Sequence, residues 1–128
     1  MAALSERLER ELDHPAALDD VAREVNEIAH RFECGAVAGA SALGARIAEA
    51  SVAVSMNGLR VFDAHDPAET VLVIEGVLAS GVQVARMAES ARRAGAKHTP
   101  AVAVLADPHA LKWYRGSSVD KVIALREF

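Results

Sequence analysis

Cysteine is almost missing from this chain of 128 residues: Cys34 stands alone, so no intrachain disulfide can form. That removes the small secreted scaffolds held together by disulfides. Aromatic residues are nearly as scarce, with one Trp, one Tyr and three Phe, so any core has to be assembled from Ala, Val, Leu and Ile. No basic run is longer than Arg92-Arg93, and the formal charge is −4. A nucleic-acid binder displaces counterions with a concentrated cationic surface, and this composition offers none. No apolar run reaches the roughly 18 residues of a membrane span. The stretch from Met1 to Arg10 is charged and helix-patterned, unlike a secretory leader. Together these absences predict a cytoplasmic protein whose partners are neither nucleic acids nor membranes.

What is present is apolar and helix-favouring. Hydrophobic residues make up 52% of the chain, ample for one core. Ala loses no side-chain entropy in a helix, and its abundance favours helices. The length fits a single domain over 1–128, with a helical N-terminal region at 1–32 and an α/β core at 33–128. Leu4, Leu8 and Leu12 share one side of a short helix from Ser5 to Leu12, which Asp13-His14-Pro15 interrupts. Leu18, Val21, Val25, Ile28 and Phe32 recur at three and four residues, predicting a helix from Ala16 to Phe32.

After residue 32 short apolar runs alternate with glycine-marked turns and helical stretches. Strands are expected at Glu33–Val37, Ser51–Met56, Thr70–Ile74, Ala101–Leu105 and Asp120–Ala124. Helices are expected at Ala40–Ala50, Gly81–Ala94 and Pro108–Tyr114, with Gly95 stopping the second of them. This alternation predicts an α/β fold: a mainly parallel five-stranded sheet flanked by helices. Asn57 to Glu69 is the one irregular stretch.

Residues 71–83 read Val-Leu-Val-Ile-Glu-Gly-Val-Leu-Ala-Ser-Gly-Val-Gln. Four apolar residues predict a buried strand that ends at the carboxylate of Glu75, followed by a loop that runs into an amphipathic helix. Parallel sheets bind ligands beyond the carboxyl ends of their strands, which puts Glu75 to Gly81 where a site belongs. Unpaired N–H groups and the positive dipole end at a helix start form a cradle for phosphate. Ser80 adds a hydroxyl, and Gly81 lets the backbone come close. The plainer reading of Ser80 and Gly81 is an ordinary turn with an N-cap. Neither glycine cluster forms G-x-G-x-x-G or a loop ending in Gly-Lys-Ser/Thr.

The same segment resembles the phosphoribosyl pyrophosphate (PRPP) signature of the type I phosphoribosyltransferases. That signature has an apolar strand, two acidic residues, two apolar residues, two hydroxyl residues, Gly, any residue, then Thr or Ser. Glu75 matches the first acidic residue, Ser80 the second hydroxyl residue and Gly81 the glycine. Residues 34–44 are similar to the first strand and pyrophosphate loop of the orotate-using branch, with Gly35, Gly39 and Leu43 in matching places. The resemblance extends over about residues 33 to 107. It implies that Glu75, Gly76, Val77, Leu78, Ala79, Ser80, Gly81, Val82 and Gln83 hold ribose and its 5′-phosphate, and that Ala38, Gly39 and Ala40 form the pyrophosphate loop. It also implies a homodimer, a role in nucleotide metabolism and a small phosphorylated ligand: PRPP, a ribose phosphate or a nucleotide. Mg²⁺ would enter only with a bound pyrophosphate.

Departures from the pattern are equally specific. Gly76 stands where the second carboxylate belongs, Ala79 replaces a hydroxyl residue, Gln83 replaces the closing Thr or Ser, and Ala40 replaces a loop glycine. Asn57 to Glu69, in the place of the family's mobile lid, has no lysine. The family transfers a phosphoribosyl group from PRPP to a nitrogen base, which demands exact placement of sugar and pyrophosphate. Three readings follow: a phosphate-binding protein with little or no transferase activity, an active transferase, and a non-catalytic interaction protein on the same fold. In the last, the faces of Leu4, Leu8 and Leu12 or of Val21, Val25 and Ile28 would serve an interface.

No catalytic residue is assigned. Cys34 lacks an identifiable base and reads as a small buried residue. Asp63, His65 and Asp66 have no paired metal-ligand spacing and read as turn caps. His14, His30, His98 and His109 are scattered. Trp113 and Tyr114 are candidates for a hood over a base.

Overall fold

The computed structural model describes residues 2–112 and 117–127. Two helices come first, α1 at Ala2–Leu12 and α2 at Pro15–Arg31. Pro15 opens α2, where its fixed φ suits the first turn and its missing N–H leaves no bond unmade. The chain leaves α2 through Glu33, at φ 55, while the N–H groups of Glu33 and Cys34 donate to the carbonyls of His30 and Ala29. This left-handed exit delays the first strand: β1 runs over Ala36–Gly39, not from Glu33.

The remaining elements are α3 at Ala42–Ala53, β2 at Arg60–Val61, β3 at Val71–Leu78, α4 at Val82–Arg93, β4 at Ala101–Ala106, a 3₁₀ turn at Pro108–Lys112 and β5 at Val122–Glu127. All five strands are parallel, in the order β2-β1-β3-β4-β5. The α/β sheet predicted from the sequence is therefore present.

One predicted strand is overturned. Ser51–Met56 is not extended; α3 continues through it to Ala53. Gly44, Ile47, Ala48 and Ser51 are all buried, a helical spacing that outweighs the β-branched Val52 and Val54. The Ser51 hydroxyl donates to the Ile47 carbonyl at 2.8 Å, and Asn26 of α2 donates to the Ser51 carbonyl at 3.1 Å. The second strand lies instead at Arg60–Val61, inside the stretch read as irregular, and is too short to carry a pattern.

Helices cover both faces. Leu8, Leu12, Val21, Val25 and Ile28 pack with Ile47 of α3 onto Val37, Leu72 and Val102. Val84 and Ala88 of α4 close the opposite face over Val73 and Ala103. Most of the N-terminal apolar residues proposed for an interface are therefore spent on the protein's own core: Leu8, Leu12, Val21, Val25 and Ile28 are each at most 5% exposed, while Leu4 is half-buried. Gly95, at φ 120, ends α4 as expected. Arg92 at the end of α4 ties down the approach to β5. Its Nε donates to Thr99 Oγ1 and the Ser118 carbonyl, and its Nη2 to Asp120 Oδ1 at 2.7 Å.

Candidate functional site

The strand order reverses between β1 and β3. The chain moves from β1 outward to β2, returns to β3 beside β1, then proceeds to β4 and β5. The loops that leave β1 and β3 diverge at this point, which opens a crevice beyond the strand ends. Each loop leads directly into a helix, α3 or α4.

β3 is longer than the sequence predicted. It continues through Glu75 and Gly76 to Leu78, because Val77 and Leu78 pair with Leu105 and Ala106. Glu75 is thus not at a strand end but within the sheet, and only 7% exposed. Its Oε1 accepts the Ser41 hydroxyl at 2.5 Å and the Gly76 N–H at 2.8 Å. Its other carboxylate oxygen has no hydrogen-bond partner among the described residues.

Gly76 has a physical reason to lack a side chain. A Cβ there would stand 2.5 Å from Leu43 Cδ2 and 2.9 Å from Leu43 Cγ. Leu43 projects from the first turn of α3 and is buried. It occupies the space that a second carboxylate would need. Glu75 and Gly76 consequently present one carboxylate where the signature has an acidic pair.

The two helix starts differ. Ser41 caps α3, accepting the Gly44 N–H at 3.1 Å on the same oxygen that donates to Glu75. The Ala40 N–H donates to the Ile74 carbonyl at 2.8 Å. Gly39 packs under α3, where a Cβ would be 2.2 Å from the Ala45 nitrogen. Of the expected pyrophosphate loop, Ala38 and Gly39 belong to β1 and Ala40 is bonded to β3. Arg46, on the same helix, turns away to the Leu12 carbonyl and the Asp13 carboxylate.

At α4 the cap is Gly81, with φ 75, and no side chain caps the first turn. The hydroxyl of Ser80, read from sequence as an alternative N-cap, therefore does not close this helix. A cleft of about 390 Å³ lies here, lined by Glu75, Leu78, Ala79, Ser80, Gly81 and Gln83, together with Val77, Val82 and Arg86. The structure brings the phosphate segment and the carboxylate into one cavity. It adds Arg86, which the sequence reading missed. Arg86 lies one turn beyond Val82, on the exposed side of α4, and has no hydrogen bond or ion pair among the described residues. Its signal was a cation at the fifth helix residue, one turn after a start that no side chain caps.

The other singled-out groups lie elsewhere. Cys34 borders a cleft of about 490 Å³ with His30 and Asn57, beside the start of β1 and so at the opposite ends of the strands. Burial pushes its thiol up to about 12. Asp63 accepts the His65 N–H, and Asp66 pairs with Arg60. No cluster of metal-ligating side chains occurs among the described residues. Trp113 and Tyr114 lie outside the described residues.

Solved structures decide the fold. APRTase from Giardia lamblia, complexed with 9-deazaadenine, superposes with a TM-score of 0.76 at 16% identity, covering 94% of this chain and 84% of that one. Orotate phosphoribosyltransferase from Aeropyrum pernix matches with a TM-score of 0.76 at 17% identity, over 93% of this chain and 75% of that one. The fold is that of the type I phosphoribosyltransferases. UMP synthase from Leishmania donovani also matches, with a TM-score of 0.76 at 20% identity, and this chain spans only 29% of its length. No protein-family model and no curated protein matches the sequence. No helix among the described residues is long and apolar enough to cross a membrane.

Within this phosphoribosyltransferase fold, the crevice at the switch point is where Glu75 and the Ala79–Gln83 loop lie. Identity this low carries the architecture and leaves the chemistry to the residues.

Proposed function

We propose that this chain binds a phosphorylated sugar or nucleotide at the carboxyl edge of its sheet, with little or no phosphoribosyl-transfer activity. The phosphate sits on the uncapped start of α4, where the Ala79–Gln83 backbone, the Ser80 hydroxyl and the Arg86 guanidinium supply donors and positive charge. The second carboxylate oxygen of Glu75, unpartnered among the described residues, accepts from a sugar hydroxyl at the inner end of the cleft.

The contact of Leu43 with Gly76 is the observation that carries the second half of this reading. Transfer from PRPP to a base needs sugar and pyrophosphate held together while positive charge develops on the ribose. Only one carboxylate faces the sugar, and the neighbouring position is filled by a leucine.

Calorimetric titration with ribose 5-phosphate tests the binding. Saturable heat is expected, weakened about tenfold or more by Ser80→Ala and by Arg86→Ala, the loss of one charge-assisted hydrogen bond. No heat from folded protein would overturn the reading. Pyrophosphate release from PRPP with any nitrogen base would overturn the assignment of low activity.

A further inference from the structure

We infer that the site selects a monophosphate ester of a hydroxylated carbon skeleton and rejects the same skeleton when its far end also carries phosphate. This rests on the binding mode proposed above and adds a specificity to it, set by Ser41 and Leu43.

A ligand with its phosphate at Ala79–Gln83 and a hydroxyl at Glu75 extends toward the loop that leaves β1, since Ser41 follows β1 and touches Glu75. That side offers an anion less than the start of α4 does, because three of its donors are already engaged. The Ala40 N–H is spent on the Ile74 carbonyl. The Ser41 hydroxyl is spent twice, on Glu75 and on the Gly44 N–H. The one arginine of α3, Arg46, is drawn off to Leu12 and Asp13.

Negative charge is already present there as well. Glu75 is nine-tenths buried, and its carboxylate would face the incoming second phosphate. Like charges a few ångströms apart in a partly buried site repel strongly unless a cation intervenes. Among the described residues, Glu75 is the only carboxylate lining the cleft to help hold a divalent cation between the charges, because Leu43 fills the space that a side chain at residue 76 would take. Anion binding is thus favoured at the α4 end of the crevice over the β1 end.

The test compares three ligands on the unmodified protein by calorimetry: ribose 5-phosphate, ribose 1,5-bisphosphate and PRPP, each with and without Mg²⁺. Ribose 5-phosphate is expected to bind at least tenfold more tightly than either of the others, with no tightening by Mg²⁺. PRPP or the bisphosphate binding as well as the monophosphate, or gaining affinity with Mg²⁺, would overturn the selectivity and leave phosphate binding intact. Silence from all three would overturn both. The double variant Leu43→Ala, Gly76→Asp provides an independent arm. It should gain Mg²⁺-dependent affinity for PRPP, and its failure to do so while remaining folded would remove Leu43 as the cause.

Discussion

Leu43 lies over Gly76, its Cδ2 only 2.5 Å from the position of a Cβ at residue 76. The two residues belong to different elements, the first turn of α3 and the middle of β3, yet each fixes what the other can be. Both are buried, so the leucine has little room to retreat. Gly76→Ala should therefore cost about 1–3 kcal/mol, the usual range for overpacking a core. In a Leu43→Ala background the same substitution should cost much less, because the new methyl enters the space just vacated. Urea unfolding of the four proteins in this double-mutant cycle measures the coupling. Equal costs in both backgrounds would show that the two side chains do not compete.

A different glycine separates packing from ligand binding. Gly39 sits where a pyrophosphate loop was expected, but its missing Cβ faces the backbone of α3, 2.2 Å from the Ala45 nitrogen and 2.4 Å from its Cα. A backbone cannot rotate aside as a leucine can. Gly39→Ala should thus destabilise the ligand-free protein more than Gly76→Ala does, beyond about 3 kcal/mol, the upper end of ordinary overpacking. Chemical denaturation without ligand ranks the two. A harmless Gly39→Ala would return that glycine to a ligand-binding role.

The sheet was legible because buried parallel strands are nearly continuous apolar runs, as at Val71–Ile74 and Ala101–Leu105. The strand read into Ser51–Met56 shows the limit of that signal. Alternating Val52 and Val54 suggested extension, while Ser51 completes a buried helical stripe whose pairing with Asn26 is visible only in three dimensions. Two-residue β2 has too little pattern to read. At the site, the sequence marked Glu75, Ser80 and Gly81, and the fold places them on one cleft. It could show that Gly76 lacked a carboxylate but not that Leu43 occupied its place. Such contacts join residues more than thirty positions apart, and no local pattern encodes them.

Cys34 gives a pH dependence of known sign. Burial raises its thiol from 9.0 to about 12, so the folded protein keeps the proton over a range in which the unfolded chain loses it. The unfolded state then binds fewer protons than the native state, and stability falls as pH rises from about 9 toward 12. Below that window the thiol is protonated in both states and contributes no slope. The comparison has to be with Cys34→Ala, which leaves every other ionisable group in place. Urea unfolding from pH 8 to pH 11 should show a steeper decline for the unmodified protein than for the variant. Alkylation by iodoacetamide at pH 8 should likewise be slower in the folded protein than in urea, because the thiolate is the reacting form. Parallel stability curves and equal alkylation rates would mean that the thiol ionises freely in the native state, which would reopen a reactive role for the cleft it shares with His30 and Asn57.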